Sequence, residues 1–255
     1  MKTALVTGGA TGLGREVAVK LAERGVAVAL ADMSEAGLRG TAEQIAAISG
    51  THYELPMDLT APGAPERVID ACCAKWGQLD MVVNNAAFGA IEPFFESSAE
   101  LWHKTLAINV TALALLTVAA GRVMRERRSG RIVNLTSPAA RMALPNYAAY
   151  AASKAAVDSM TRASAIALAP FGVLVNSVSP GMMDTEMQRT TEIRLAEVEN
   201  RADVEVFLEE RTRRVPLGRR AQIAEVADVV VWLLLDAPSY ITAARLNASG
   251  GLDKD

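Results

Sequence analysis

The chain has 255 residues, 51% of them apolar and 22% charged, with a net charge of −3. That length and apolar content suit one large α/β domain spanning residues 1–255. The slightly acidic balance gives no general attraction to nucleic acid or to an anionic membrane. Cys72 and Cys73 are adjacent and cannot form an ordinary structural disulfide, which fits a reducing cytoplasm. His52 and His103 lie far apart without ligand spacing, so no metal site is expected.

Lys2 to Thr7 reads as a short strand that runs into Gly8-Gly9-Ala10-Thr11-Gly12-Leu13-Gly14, after which a helical pattern places Val17, Leu21 and Ala22 on one face. In such a strand–turn–helix unit the glycines let backbone approach a pyrophosphate, and the helix start presents free N–H groups to it. The second strand, Val26 to Ala31, ends in Asp32, 18 residues past Gly14. An acid at that spacing serves to bind ribose hydroxyls, or else to cap a helix starting near Glu35. His52 to Met57 forms a third strand before Asp58-Leu59, and Leu79 to Val83 a fourth before Asn84-Asn85-Ala86-Ala87.

The apolar stretch from Leu106 to Ala120 is interrupted by Asn109, Thr111 and Thr117, so it reads as a buried helix rather than a membrane span. The basic run from Arg122 to Arg131 closes that helix, where cations complement the negative end. Further strands are expected at Arg131–Leu135, Val173–Ser179 and Arg245–Asn247. This alternation of strands and helices predicts an α/β fold: a doubly wound, Rossmann-type parallel sheet of about seven strands with helices on both faces. Polar or glycine residues stand at six strand ends, where ligands bind on such sheets.

Tyr147 to Val157 is alanine-rich and helical by propensity. Tyr150 and Lys154 sit at i and i+4 and share a face. An ammonium about 4 Å from a phenol favours the phenolate by about 4 kcal/mol at an effective dielectric near 20, or about three pKa units at most. On this reasoning Tyr150 exchanges protons near neutral pH. Between Asp184 and Arg214, 15 of 31 residues are charged. Apolar residues punctuate them, which predicts mobile amphipathic helices outside the sheet, a lid over about 184–215.

These motifs resemble the short-chain dehydrogenase/reductase family, classical branch, over essentially the whole chain. The matching residues are Thr7-Gly8-x-x-x-Gly12-x-Gly14, Asn84-Asn85-Ala86, Asn109, Ser137, Tyr150-x-x-x-Lys154, Pro180-Gly181 with Thr185, and Gly250-Gly251. Ala87 and Ser249 depart from the family's usual glycine and aspartate. The resemblance implies an oxidoreductase that interconverts a secondary alcohol and a ketone. Tyr150 would be its acid/base, Lys154 would lower the pKa of Tyr150 and hold the nicotinamide ribose, Ser137 would bond the substrate oxygen, and Asn109 would anchor a relay water. It places Gly8, Gly12, Leu13 and Gly14 on the pyrophosphate, Asp32 and Met33 at the adenosine ribose, and Asp58 and Leu59 at adenine. Asn85 and Ala86 fall on the ribose side, and Pro180, Gly181, Met183 and Thr185 at the carboxamide.

Asp32 favours NAD over NADP, because a 2′-phosphate would face its carboxylate and Met33 supplies no compensating cation. Arg15 is the contrary residue, expected to face the pyrophosphate or solvent. The resemblance also brings Phe88, Met142, Tyr147, Met182, Met183 and Met187 to the substrate pocket, which suggests a largely apolar alcohol or ketone. Arg141 is either a partner for a substrate carboxylate or an exposed loop arginine. An NADP-dependent 3-oxoacyl-type reductase is the alternative; it is disfavoured by Phe171, which stands before Gly172 where many carrier-protein reductases of this family have a basic residue. A nucleotide-sensing protein without chemistry is the other, and it is disfavoured by the presence of both Tyr150 and Lys154. A homotetramer is expected from the family and from two Ala/Leu-rich helices near Leu106–Arg125 and Tyr150–Ala169.

Overall fold

The computed structural model describes residues 1–253. Seven strands form one parallel sheet: β1 (Thr3–Thr7), β2 (Ala27–Asp32), β3 (His52–Pro56), β4 (Met81–Asn84), β5 (Gly130–Leu135), β6 (Val173–Pro180) and β7 (Arg245–Ala248). Their order across the sheet is β3-β2-β1-β4-β5-β6-β7. The expected strands are all present, with ends shifted by one or two residues. The helices are α1 (Gly12–Glu23), α2 (Glu35–Ala47), α3 (Ala64–Trp76), α4 (Ala99–Leu106), α5 (Leu113–Arg127), α6 (Ala148–Leu168), α7 (Glu186–Val198), α8 (Val204–Arg213) and α9 (Ile223–Leu235). Chain direction across the sheet reverses between β1 and β4, and that switch point opens a crevice at the strands' carboxyl ends.

Both sheet faces are covered, so the strands are continuously apolar rather than alternating. Along β1, Ala4 and Val6 join a core with Val17, Leu21, Leu30 and Val230 from α1, β2 and α9. Leu5 points the other way, into a core with Val68, Leu116, Met124 and Ile132. Cys72 is buried in that second core, where burial pushes its thiol up to about 12 and keeps it inert. The helix from Ala99 to Arg127 is long and apolar enough to cross a membrane, yet its inner side packs against the sheet.

Two features escape a hydropathy reading. A buried ladder of amides and hydroxyls crosses the second core: Asn84 donates to Asn134 (2.8 Å) and Thr117 (3.1 Å), and Asn134 donates to Thr161 (2.9 Å). Between α4 and α5 the backbone widens into a π turn, Ala107–Ala112, which contains Asn109. Such turns concentrate where a side chain must be re-aimed.

The charged segment after Asp184 forms α7 and α8, but it is cross-linked rather than loosely laid on the surface. Glu192 of α7 is fully buried and accepts from Arg211 of α8 (3.0 Å) and from Arg220, just ahead of α9 (2.9 Å). Arg201 and Arg211 also lie over the ring of Phe207, which is buried. One buried carboxylate thus holds three segments together. Glu192→Ala should cost about 2 kcal/mol or more, less than a fully enclosed pair because both guanidinium side chains keep about a fifth of their surface. Calorimetry and amide exchange across residues 186–213 measure this, and an unchanged Tm with unchanged protection would contradict it.

Candidate active site

The glycine turn is folded against the end of β4. Thr7 Oγ1 accepts from the backbone N–H groups of Asn85 (3.0 Å) and Ala86 (3.1 Å), and Asn85 Nδ2 donates to the carbonyls of Thr7 and Gly8. Asn85 therefore ties two loops together at the switch point. Gly8 has φ +65°, and a Cβ on Gly14 would collide with the Gly8 carbonyl oxygen, so neither position takes a side chain. Thr185, the N-cap of α7, brings its methyl group to within 3.7 Å of where a Gly12 Cβ would lie. Leu13 is buried beneath the turn. No side chain caps α1, so its first N–H groups are available to an anion. A glycine cradle with a free helix start fits a dinucleotide pyrophosphate.

On the adenosine side, Asp32 is held at the end of β2. Its Oδ2 accepts from Ala10 N (3.2 Å) and its Oδ1 from Ser34 N (3.0 Å). Ser34, not Asp32, caps α2. Met33 is exposed beside it. Arg15 is half-buried and bonds Thr41 Oγ1 of α2 (3.0 Å) and the carbonyl of Ala10 in the glycine turn. Asp58 Oδ1 is occupied by the N–H (2.8 Å) and hydroxyl (2.7 Å) of Thr60, which depresses its pKa, while Leu59 is buried.

Ser137, Tyr150 and Lys154 converge where β5 ends against α6. The Tyr150 hydroxyl is hydrogen-bonded to the side chain of Ser137. Lys154 Nζ donates to the Leu135 carbonyl (2.8 Å) and lies 5.5 Å from the centre of the Tyr150 ring. Thr136 Oγ1 donates to the carbonyl of Lys154 (3.2 Å) and completes the clamp. Asn109 reaches the site from the π turn. It exchanges two hydrogen bonds with the backbone of Phe88, both 2.8 Å, and donates to Ser153 Oγ (2.9 Å), which in turn bonds the Tyr150 carbonyl. Its side chain thus pins the loop after β4 to the start of α6.

Burial works against the expected pKa shift. Burial pushes the Tyr150 phenol up to about 12, and the Ser137 hydrogen bond opposes this only in part. Burial also pulls Lys154 down to about 8, with Asp158 acting the other way. Desolvation of the two charges thus opposes the attraction between them.

Pro180 ends β6, and Gly181 N donates to the Ala248 carbonyl (2.9 Å). Met183 bridges to Ala221, Met182 is buried, and Met142 and Met187 are exposed. Tyr147 stacks on Tyr150, with ring centres 4.3 Å apart and planes at 15°, and is hydrogen-bonded to Thr191 of α7. Burial raises the Tyr147 phenol further still. A Cβ on Gly89 would collide with the Tyr147 hydroxyl, so that glycine makes room for the stack. Sequence reasoning missed this contact, the Glu192 clamp and a buried ion cluster on β7. Only Asp158, four residues past Lys154 on the same helical face, was open to the spacing argument.

A parallel sheet with a phosphate cradle at its switch point and a Ser–Tyr–Lys cluster beside it defines a nicotinamide-dependent oxidoreductase. Residues 8–253 match the family profile described as enoyl-(acyl carrier protein) reductase. The chain is 36% identical to cyclopentanol dehydrogenase of Comamonas testosteroni over 98% of its own length and 96% of the relative's. Its structure is similar to that of NAD+-bound xylitol dehydrogenase, with a TM-score of 0.94, 32% identity and 98% of each chain covered. It is also similar to a single-residue variant of actinorhodin polyketide ketoreductase with NADPH, with a TM-score of 0.95, 31% identity and coverage of 100% and 98%. The chain belongs to the short-chain dehydrogenase/reductase family and is an NAD(P)-dependent enzyme acting on CH–OH donors.

The buried lysine makes a thermodynamic prediction. A folded-state pKa near 8 against 10.5 for free lysine means that the folded protein carries the full cost of the ammonium below pH 8. That cost fades as pH rises towards 10.5, where both states are neutral. The Tm of Lys154→Met relative to wild type should therefore be most favourable at pH 8 and below and decline towards pH 10.5. Thermal melts of both proteins across this range check it; a difference in Tm that does not depend on pH would contradict it.

Proposed function

We propose that the protein is an NAD-dependent dehydrogenase that interconverts a secondary alcohol and a ketone, with Tyr150 as acid/base. The observation that carries this reading is the convergence of Ser137, Tyr150 and Lys154 beside the glycine cradle. In the oxidative direction the alcohol oxygen sits between the Ser137 and Tyr150 hydroxyls, and Tyr150 takes its proton as the carbon gives up hydride. The bound dinucleotide supplies the hydride acceptor, and in reverse the donor. Lys154 lowers the cost of the phenolate and orients the ribose, and Asn109 anchors the water through which the proton leaves. The phenol starts high, so Lys154 and the positive charge of the oxidised ring must together bring it towards working pH.

Asp32 supports NAD, because its carboxylate is fixed by two backbone N–H groups at the ribose position and Met33 beside it carries no charge. The guanidinium of Arg15 is held by α2 and by Ala10, so it does not offset a phosphate there. Residues 184–215 act as the lid of a single domain, and Thr191 carries that lid onto Tyr147. The stacked tyrosines with Phe88 and Met182 favour a largely apolar secondary alcohol, and the likeness to a cyclopentanol dehydrogenase makes small cyclic alcohols the first class to test. The adjacent unpaired cysteines suit the cytoplasm.

A homotetramer is supported by Leu115 and Val118 on α5 and Ile166 on α6, large apolar side chains left exposed on adjoining helices. Light scattering should then report about four copies of the 27.0 kDa chain; a monomer at micromolar concentration would remove this part of the proposal.

The activity is tested by assaying alcohol panels with each dinucleotide. Tyr150→Phe should lower kcat by at least about a thousandfold and leave dinucleotide affinity within a few-fold. kcat/KM should favour NAD over NADP by about a hundredfold, and Asp32→Ala with Met33→Arg should reverse the preference. Retention of a tenth of the rate by Tyr150→Phe would take the tyrosine out of the mechanism. A preference for NADP, with 3-oxoacyl substrates accepted, would favour the ketoreductase alternative.

A further inference from the structure

Behind the Ser137–Tyr150–Lys154 cluster lies a buried group of charges for which no part of the proposed chemistry accounts. Arg245 opens β7 and is only 9% exposed in its side chain. Its Nε lies 3.2 Å from Asp158 Oδ2, and its Nη2 pairs with Asp253, which follows β7. Those two carboxylate side chains are 8% and 3% exposed. Nη2 also donates to the backbone carbonyl of Ser137 (3.0 Å) and to Ser179 Oγ (3.0 Å), and Nη1 donates to Asn247 (2.7 Å). Asp253 is fixed in turn, accepting from Ser179 Oγ (3.0 Å) while its N–H donates to Ser249 Oγ (3.1 Å).

Asp158 stands four residues beyond Lys154 on α6 and interacts electrostatically with its ammonium. Neither Asp158 Oδ1 nor Arg245 Nε has a hydrogen-bond partner among the described residues, so Asp158 and Arg245 meet as an ion pair without a hydrogen bond. Lys154, Asp158, Arg245 and Asp253 together make a neutral set of two cations and two anions. Other ionisable groups on the surrounding elements include Tyr147, Tyr150 and Arg162 on or beside α6, Glu100, His103 and Lys104 of α4, Arg131 of β5, bonded to the Leu233 carbonyl, and Arg141 after Ser137. Burying a guanidinium and two carboxylates is costly and gives the sheet no packing that apolar residues could not.

We propose that Arg245 is a positioning residue, with Asp253 as its second counter-ion: it holds the Ser137 backbone in place and sets the net charge under which Tyr150 and Lys154 exchange protons. This rests on the proposed acid–base role of Tyr150 and deepens it by bringing β7 and the segment after it into the proton chemistry. The sign of each effect follows from charge alone. Removing the Asp253 charge leaves a net positive set that favours the phenolate, while removing Arg245 leaves a net negative set that disfavours it.

The test is the pH profile of kcat/KM for alcohol oxidation, whose acid limb reports the coupled Tyr150–Lys154 titration. Asp253→Asn keeps the acceptor oxygen and should move that limb down by about half a unit to one unit. Arg245→Met should move it up by about one unit, and Arg245→Met with Asp253→Asn, which restores neutrality, should bring it back close to wild type. Arg245→Lys should keep the wild-type limb even where kcat falls. The pH dependence of NAD binding, followed by tryptophan fluorescence, should show the same order. Loss of rate with no movement of the limb, or shifts of one sign in both single variants, would reduce Arg245 to a structural residue and overturn the inference. Should Arg245→Met fail to fold, Asp253→Asn and the double variant decide alone. A wild-type protein inactive with both dinucleotides would count against the proposed function, whereas an active one with immovable profiles counts only against this inference.

Discussion

A lysine buried at the end of a β-strand must have its charge compensated from within the protein, and much of this site follows from that requirement. Lys154 has one direct acceptor, the carbonyl of Leu135, and one anion on its own helical face, Asp158. The first fixes α6 against the end of β5, which puts Tyr150 beside Ser137. The second brings in Arg245 and, through it, the segment after β7. Remote parts of the chain are thereby assembled around one ammonium that burial alone would discharge.

The same economy runs through the rest of the molecule. Polar groups enclosed away from water are tied in pairs or chains: Asn84 to Asn134 and Thr161, Asn109 to Phe88 and Ser153, Glu192 to two arginines. Each of these links joins elements that hydrophobic packing leaves free to slide, since a dispersion contact is non-directional and a hydrogen bond is not. The apolar cores hold the helices on the sheet, and the polar links fix where along it they sit. The lid is the clearest case, because α7 and α8 lie outside both cores and have Glu192 and Phe207 in their place.

Burial and charge act on the Tyr150–Lys154 pair in opposite directions. A spacing of four on a helix fixes the shared face whatever surrounds it. The surroundings decide whether attraction or desolvation prevails, and here the Tyr147 ring stacks on Tyr150 while Ser137 bonds its hydroxyl.

What the sequence by itself determined is what depends on local rules. The seven strands follow from apolar runs, the parallel sheet from their alternation with helices, and the cradle from glycines between a strand and a helix start. Tyr150 and Lys154 follow from helical spacing. Asp32 at the end of β2 was equally open to view, but its two backbone donors, Ala10 and Ser34, were not. Tertiary structure alone decided the contacts between residues far apart in the chain: Arg245 with Asp158 across 87 positions, Glu192 with Arg220 across 28, Tyr147 with Thr191 across 44. No local periodicity encodes these, because an arginine among charged neighbours looks the same in water as in a core. Only the packing of the sheet decides which charges are taken out of solvent and must then find each other.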